Sequence, residues 1–236
     1  MKISLLSYTP EPLKNIYLAC RTCYSKVPPS EISDFSEDKI IKLIKKTLLS
    51  GHHSVLEHAV FTFSAEGVSR ALTHQLVRHR LASYAQQSQR YVEYKAEGLD
   101  FVVPDSIKKI DEQKYNLLMQ QIFQSYREFI ELGIPAEDAR YVLPNATTSN
   151  ILITMNYREL INFCHLRLCF KAQWEIREMS LAMKKELHKV SKFIASNLMP
   201  KCQNIGYCEE DKPCGHYKFS QVAETVKKER AEKWDM

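Results

Sequence analysis

The stretch RHRLASYAQQSQRY, residues 78–91, is the most distinctive part of this sequence of 236 residues. It carries Arg78, His79, Arg80 and Arg90, and no acidic residue within it neutralises them. Five serine or glutamine side chains lie between the second and third arginines. Guanidinium groups bind phosphate in a bidentate manner, and hydroxyl and backbone N–H groups add hydrogen bonds. We therefore expect a site for a phosphate-bearing ligand here, with a solvated basic loop as the alternative.

The residues on either side of this stretch predict a helix and then an extended segment. Residues 68–78 have helical spacing and set Gln75 in the middle of an apolar face. A buried amide needs hydrogen-bond partners, and because basic residues follow directly, we expect Gln75 to face the ligand. Residues 88–94 are predicted to be extended. Alternate side chains of an extended segment share a face, so Ser88 and Arg90 would point the same way.

Hydrophobic periodicity divides the rest of the chain into strands and helices. Strands are predicted at residues 1–8, 58–66 and 147–155, and helices at 11–24, 36–50, 111–132, 157–168 and 173–199. There is no internal repeat and no linker long enough to divide the chain. We expect an α+β fold, a mixed sheet flanked by long helices, in a single domain over 1–236 whose tail from about residue 200 could be an appendage.

Composition narrows the class of protein. Apolar residues make up 44% of the sequence, enough for a core, and the net charge of +5 is too small to require a nucleic acid partner. No run approaches the roughly 18 apolar residues of a membrane span. Seven cysteines without an export signal favour a reducing compartment, so we expect a cytoplasmic protein with no membrane partner.

A second segment rich in basic and polar residues runs from residue 139 to 178. On its predicted helix, one polar stripe is formed by Arg158, Asn162, His165 and Cys169. Arg167 lies half a turn away from Arg158. One helix therefore cannot aim both arginines at the same small ligand, and two bound molecules, or two subunits that share a site, would be needed.

Taken in order, these motifs resemble those of the flavin-dependent thymidylate synthases. RHR, seven residues and then Ser88 matches the signature of that family. Further segments that resemble the family pattern are GHHSVLEHAVFTF, SQRY, ARYVLP, the Asn156 and Arg158 pair, NFCHLR and AQWEIR. The resemblance covers roughly residues 51–177, and several motifs in the right order are more specific than one. Ala85 departs from the pattern, since family members often carry a polar residue there.

The resemblance implies a reductive methylation of dUMP to dTMP. The carbon donor would be 5,10-methylenetetrahydrofolate, FAD the bound redox cofactor and NADPH the reductant. The family is usually a homotetramer whose active sites are built across subunits, which would account for the opposed arginines Arg158 and Arg167. No metal is implied.

The resemblance also implies which residues bind each ligand. FAD would be held by Ser54, Glu57, Arg78, His79, Arg80, Gln86, Asn156, Arg158 and Asn162. The nucleotide dUMP would be held by Gln75, Arg78, Gln86, Gln87, Ser88, Gln89, Arg90, Arg140 and Arg167. Arg167 is also the expected catalytic residue, because a guanidinium at the uracil edge stabilises negative charge on the activated ring. Ser88 is expected to bind the nucleotide, since the sequence shows no base poised to activate it.

Three alternatives remain open at the level of sequence. A cysteine nucleophile is the first. Cys164 and the adjacent His165 would point about 100° apart on a helix, whereas His165 and Cys169 could meet, although apolar neighbours favour a buried structural thiol. A structural zinc site is the second, with its ligands drawn from Cys202, Cys208, Cys214 and His216. The third is a module that binds single-stranded nucleic acid through the basic stretch.

Overall fold

The computed structural model describes residues 1–93, 101–220 and 225, and within them it combines α-helices with one four-stranded sheet. The α+β class expected from the sequence is confirmed. The strands are β1 (Lys2–Tyr8), β2 (Val60–Ser69), β3 (Ser83–Gln86) and β4 (Thr148–Asn156), in the spatial order β1-β2-β4-β3. The sheet is antiparallel, a simpler arrangement than the mixed sheet that the sequence predicts.

Side chains fix the register between β2 and β4. The hydroxyls of Thr62 and Thr154 lie 3.0 Å apart, and the backbone N–H of Gly67 donates to Oδ1 of Asn150 over 3.1 Å. The partner's number falls as the β2 number rises, as it must in an antiparallel pair. Gly67 has a φ of 66°, a left-handed conformation that glycine adopts without strain.

The α-helices follow the periodicity of the sequence. In chain order they are α1 (Pro12–Tyr24), α2 (Glu37–Leu49), α3 (Arg70–Leu76), α4 (Asp105–Glu131), α5 (Ala136–Ala139), α6 (Tyr157–Arg167), α7 (Trp174–Val190), α8 (Lys192–Ser196) and α9 (Lys201–Ile205). Short 3-10 helices cover Pro29–Glu31, His53–His58 and Arg140–Val142. Among the residues described, none of the helices combines the length and the apolar character that crossing a membrane requires.

One long helix differs from the prediction because a polar side chain restarts the helix. The single helix predicted at 173–199 is wrong: Ser191 leaves helical geometry (φ −155°, ψ 118°), and its hydroxyl accepts from the N–H of Ile194. The helix predicted at 111–132 does start at Asp111, whose carboxylate accepts from the N–H of Lys114 over 2.9 Å, and the structure adds helical residues 105–110 before it. Serine and aspartate favour this N-cap role over a helix interior.

The extended segment predicted at 88–94 is also wrong over the residues that the structure describes. The extended part is β3, and the chain turns at residues 89–91, where the N–H of Val92 donates to the carbonyl of Ser88. The hydroxyl of Ser88 accepts from the N–H of Arg90 over 3.2 Å, which stabilises the turn. Residue 94 lies outside the described residues. Upstream, residues 68 and 69 of the predicted helix belong to β2.

The chain forms two compact units. The first comprises Met1–Ser4 and Phe63–Ile153, and the second comprises Leu5–Thr62 and the described part of Thr154–Met236. The core of the first unit includes Phe63, Val68, Leu72, Leu76, Met119, Phe123, Tyr126, Ile151 and Ile153. The core of the second includes Ile16, Ile44, Leu56, Phe61, Tyr157, Phe163, Ile176, Met179, Met183, Leu187 and Ile194. The single-domain organisation stays a prediction.

Candidate functional site

A turn at residues 78–80, called the RHR turn below, joins α3 to β3 in the first unit. The helix starts at a serine cap, since the hydroxyl of Ser69 accepts from the N–H of Leu72 over 3.0 Å. After the helix ends, the N–H of His79 donates to the carbonyl of Leu76. The hydroxyl of Tyr84 donates to that same carbonyl over 2.8 Å and lies 3.0 Å from the carbonyl of His79. The side chain of Tyr84, which belongs to β3, therefore holds the RHR turn in place.

The three side chains of the RHR turn have different surroundings. His79 is only 5% exposed, whereas Arg78 and Arg80 are exposed to solvent. Neither arginine forms an ion pair or a side-chain hydrogen bond with a residue that the structure describes. Two guanidinium groups on one fixed turn are therefore exposed to solvent without a partner among the described residues, and the predicted phosphate site stays a prediction.

Gln86 is tied into the first unit. Its Nε2 donates to the hydroxyls of Thr73 (3.1 Å) and Ser149 (3.2 Å), which links β3 to both α3 and β4. Next to it, the backbone N–H of Gln87 donates to the carbonyl of Asn150 over 2.9 Å. The amide N–H₂ of Gln86 is thus engaged within the protein, and its carbonyl oxygen is the atom left for a ligand.

Gln75 is half-buried on α3, as its place in the apolar face predicts. Its Nε2 lies 3.5 Å from the carbonyl of Ala71, one turn earlier in the same helix. This contact is at the long limit for a hydrogen bond. The helix itself therefore supplies only a weak partner for the amide.

Arg90 is neutralised, contrary to the expectation for the basic stretch. Its Nε and Nη2 lie 2.9 Å and 2.8 Å from Oε2 of Glu137, and this hydrogen bond raises the pKa of the guanidinium. Arg140 donates from Nε to the backbone carbonyl of Glu137 over 3.0 Å. The glutamate was missed at the sequence level because it lies 47 residues from Arg90, and no local pattern connects the two.

A second group of candidate residues lies in the second unit. Nη1 of Arg158 lies 2.7 Å from Oε1 of Glu57, which joins the first turn of α6 to the 3-10 helix His53–His58. Both side chains are about half exposed. Ser54 on that 3-10 helix is exposed as well. The sequence predicts these residues for one ligand, and the structure brings Glu57 and Arg158 into contact.

Asn156 and Asn162 are hydrogen-bonded around the start of α6. Oδ1 of Asn156 accepts from the N–H of Glu159 over 2.9 Å and so caps the helix. Nδ2 of Asn162 donates to Oε2 of Glu159 over 3.2 Å. Asn156 thus has a structural role in addition to any ligand contact.

Arg167 ends α6 and lines a cavity of about 330 Å³ in the second unit. The residue is half-buried, whereas Arg158 at the start of the helix is exposed. Their separation of nine positions corresponds to two and a half turns at 100° per residue. Arg158 and Arg167 therefore point to opposite sides of α6, as the sequence predicts.

A nucleophilic role for Cys164 does not fit its surroundings. The residue has no exposed surface, and burial raises the pKa of its thiol to about 12. The reactive form of cysteine is the thiolate, so this thiol is inert near neutral pH. Burial is also the main cause that lowers the pKa of His165, followed by the nearby charges of Lys201 and His53.

The zinc alternative needs correction at one ligand. The ring of His216 stacks on Phe170 at a centroid distance of 3.6 Å, and His216 does not line the cavity near its three cysteines. In the part of the chain that the structure describes, no three His, Cys, Asp or Glu side chains gather closely enough to hold a single metal ion.

Comparison with known proteins gives one consistent family. Residues 4–191 match the family model described as thymidylate synthase complementing protein. A flavin-dependent thymidylate synthase of Geobacter sulfurreducens is 46% identical over 213 residues, which cover 89% of this chain and 91% of that protein. The enzyme of the same name from Pyrococcus abyssi is 43% identical over 221 residues, with 89% and 90% covered.

Two solved structures share the fold. The flavin dependent thymidylate synthase ThyX from Helicobacter pylori, complexed with FAD and dUMP, matches with a TM-score of 0.72 at 26% identity, covering 84% of this chain and 100% of that one. The UMP/dUMP methylase PolB from Streptomyces cacaoi, bound with 5-Br dUMP, also has a TM-score of 0.72, at 24% identity, covering 83% and 93%. At that identity the second match supports the fold alone.

Proposed function

The chain belongs to the flavin-dependent thymidylate synthases, and from this premise we propose how its residues bind and convert the nucleotide. We propose that it methylates dUMP to dTMP with 5,10-methylenetetrahydrofolate as carbon donor, FAD as bound cofactor and NADPH as reductant. The observation that carries the proposal is the pair of exposed guanidinium groups at Arg78 and Arg80 on a turn fixed by Tyr84. They are suited to the phosphates of a mononucleotide and a dinucleotide.

The residues proposed for FAD fit a ligand that carries a pyrophosphate. They are Ser54, Glu57, Arg78, His79, Arg80, Gln86, Asn156, Arg158 and Asn162. Within this set the arginines would bind phosphate, and the carboxylate of Glu57 orients Arg158 through their ion pair of 2.7 Å. His79 is buried, so its part is to position the RHR turn. When bound, FAD would supply the electrons of the reduction, while protein groups bind and orient.

The residues proposed for dUMP are Gln75, Arg78, Gln86, Gln87, Ser88, Gln89, Arg90, Arg140 and Arg167. The hydroxyl of Ser88 accepts from the N–H of Arg90, which leaves the O–H of Ser88 able to donate to a phosphate oxygen. The Nε of Arg140 is bonded to the protein, so its terminal nitrogens would meet the ligand. Ser88 is proposed as a binding residue and not as a nucleophile.

Arg167 is the proposed catalytic residue. A guanidinium beside the uracil ring would stabilise the negative charge that develops on N3 and O2 as the ring is activated. A charge placed in advance needs no reorganisation during the reaction, and half-burial strengthens its effect relative to bulk water. Removing one such donor typically costs about 100- to 1,000-fold in kcat.

Opposed arginines on one helix support a site shared between copies of the chain, and we propose a homotetramer. Arg158 is assigned to FAD and Arg167 to dUMP, yet they point to opposite sides of α6. Co-expression of Arg158→Ala chains with Arg167→Ala chains tests this point. If one site uses both residues from different copies, mixed tetramers regain part of the activity that each variant lacks alone. No recovery in purified mixed tetramers would exclude that sharing.

The protein is also proposed to act in the cytoplasm, without a membrane or nucleic acid partner. All seven cysteines are free thiols, which supports a reducing compartment. The exposed cations of the basic stretch are few, and glutamines and serines between them favour a small, specific ligand over a phosphodiester backbone.

The direct test is an assay of the purified protein. We expect bound FAD, and formation of dTMP only when dUMP, methylenetetrahydrofolate and NADPH are all supplied. The matched control is Arg21→Ala, which removes an exposed arginine of α1 and should leave the rate unchanged. A protein that binds no flavin and forms no dTMP would contradict the proposal.

A further inference from the structure

Four of the seven cysteines line one cavity in the second unit. Cys169 lies just after α6, Cys202 lies in α9, and Cys208 and Cys214 follow in the segment after that helix. All four belong to the lining of the cavity of about 330 Å³, and all four are free thiols. The other cysteines lie elsewhere: Cys20 and Cys164 are buried and Cys23 is exposed.

The four thiols reach the cavity from different parts of the sequence. Three of these residues repeat at intervals of six in the sequence, while Cys169 is brought to them from 33 positions before Cys202 by the fold. A set of four thiols from two separate segments is therefore assembled only in the folded chain.

Two lysines and two glutamates line the cavity as ion pairs, so their charges balance. Lys171 and Lys201 line it and are paired with Glu210 and Glu209, respectively. Nε2 of His165, which also lines it, is buried and has no hydrogen-bond partner among the residues that the structure describes. An orphaned buried polar atom of this kind is a common sign of a group that completes the site.

The segment after α9 is held against the loop between α6 and α7 by an aromatic contact. His216 stacks on Phe170, and the guanidinium of Arg177 lies 3.9 Å from the centroid of the same ring. These contacts place His216 on the ring and outside the cavity. Of the four residues considered at the sequence level for zinc, the three cysteines thus remain, and Cys169 takes the fourth place.

We propose that Cys169, Cys202, Cys208 and Cys214 bind an iron–sulfur cluster. Four cysteine thiolates are the usual ligands of such a cluster. A single zinc ion with Zn–S bonds of 2.3 Å would require the sulfurs to meet at about 3.8 Å around one point. In a cluster each thiolate bonds to an iron atom at the edge of the group and bridging sulfide fills the middle, which suits thiols arranged around a cavity. Each thiol loses its proton as its bond to iron forms.

The cluster would have a positioning role for the end of α6. Its ligands would join residues 202–214 to Cys169, two residues after Arg167, and Arg167 lines the same cavity. The site itself does not depend on the proposed activity. The family model ends at residue 191, so three of the four ligands lie beyond the part of the chain that it matches.

The test is a metal and sulfide analysis of protein purified without oxygen. We expect about two to four iron atoms per chain with an equal amount of acid-labile sulfide. Flavin absorbs in the same visible range, so the count of iron and sulfide is the primary readout, with electron paramagnetic resonance of the dithionite-reduced protein as the second. Cys208→Ser should lose most of the iron and sulfide, and Cys23→Ser, the matched control with an exposed thiol outside the cavity, should retain both.

A thiol count on the wild type keeps the proposal testable if Cys208→Ser does not fold. Alkylation of the native protein should leave six thiols unmodified, the four ligands and the buried Cys20 and Cys164, while Cys23 reacts at once. After a chelator removes the iron, the four ligands should react as well. One zinc ion per chain without sulfide would overturn the cluster, as would iron retained equally in the Cys208→Ser variant or four thiols that react freely. None of these readouts uses dUMP, so they remain separate from a failure of the proposed activity.

Discussion

Arg90 and Glu137 form a two-nitrogen ion pair, with Nε and Nη2 of the arginine 2.9 Å and 2.8 Å from the same carboxylate oxygen. Both side chains are about half exposed. The pair holds the turn after β3 beside α5 within the first unit. A phosphate that binds Arg90 must therefore share the guanidinium with a carboxylate.

Glu137→Gln tests how that carboxylate affects the nucleotide site. Loss of its negative charge removes repulsion toward a phosphate dianion, so we expect KM for dUMP to fall by about two- to fivefold, with kcat unchanged. Steady-state kinetics at low ionic strength measure KM for dUMP and kcat. Asp138→Asn, at the neighbouring exposed acid, is the control. A rise in KM would mean that Glu137 orients Arg90 more than it competes with the ligand.

Arg78→Ala and Arg80→Ala should differ in their effects on the affinities for FAD and dUMP. Arg80 is assigned to FAD alone and Arg78 to both FAD and dUMP, so Arg80→Ala should weaken FAD and leave dUMP affinity intact. Each lost charge-assisted contact should cost about 10- to 100-fold in affinity. Titration calorimetry measures the affinity of each variant for FAD and for dUMP separately. The assignment fails if Arg80→Ala weakens dUMP as strongly as it weakens FAD.

Two substitutions at Asn156 can distinguish its role as the cap of α6 from a contact with FAD. Asn156→Ala removes the cap of α6 and should lower the free energy of unfolding by about 1 kcal/mol. Asn156→Asp keeps a capping oxygen, so its stability should stay near that of the wild type. Denaturant unfolding gives the stability, and fluorescence titration gives the FAD affinity. If Asn156→Asp keeps full stability and full FAD affinity, Asn156 is a cap and not a FAD ligand.

The buried thiol of Cys164 should make the folded protein less stable at alkaline pH. The pKa of a cysteine thiol in the unfolded chain is about 8.5. Burial raises the pKa of Cys164 to about 12 in the folded protein. The contribution of the neutral Cys164 thiol to the free energy of unfolding is therefore complete below about pH 8.5. It is lost as the pH rises toward 12, because the thiol ionises first in the unfolded chain. Melting temperatures between pH 7.5 and 10 should fall less steeply for Cys164→Ala than for the wild type. Cys23→Ala, at an exposed thiol, should keep the wild-type slope.

Much of the fold could be predicted because short-range periodicity decides it. The strands β1 and β4 and helices such as α1, α2 and α6 fall within one or two residues of the prediction. The misplaced boundaries have local causes that periodicity does not report. Ser191 offers an oxygen to a backbone N–H and restarts a helix, and Ser88 does the same for a turn.

By itself, the sequence determined the α+β class, the family and the basic stretch at residues 78–91, because these depend on residue order and spacing. Only the tertiary structure decided which of those charges are available. It pairs Arg90 with Glu137, leaves Arg78 and Arg80 exposed and brings Cys169 to Cys202, Cys208 and Cys214. The physical reason is distance along the chain: an ion pair or a thiol cluster depends on separations of a few ångströms, which folding sets between residues far apart in sequence.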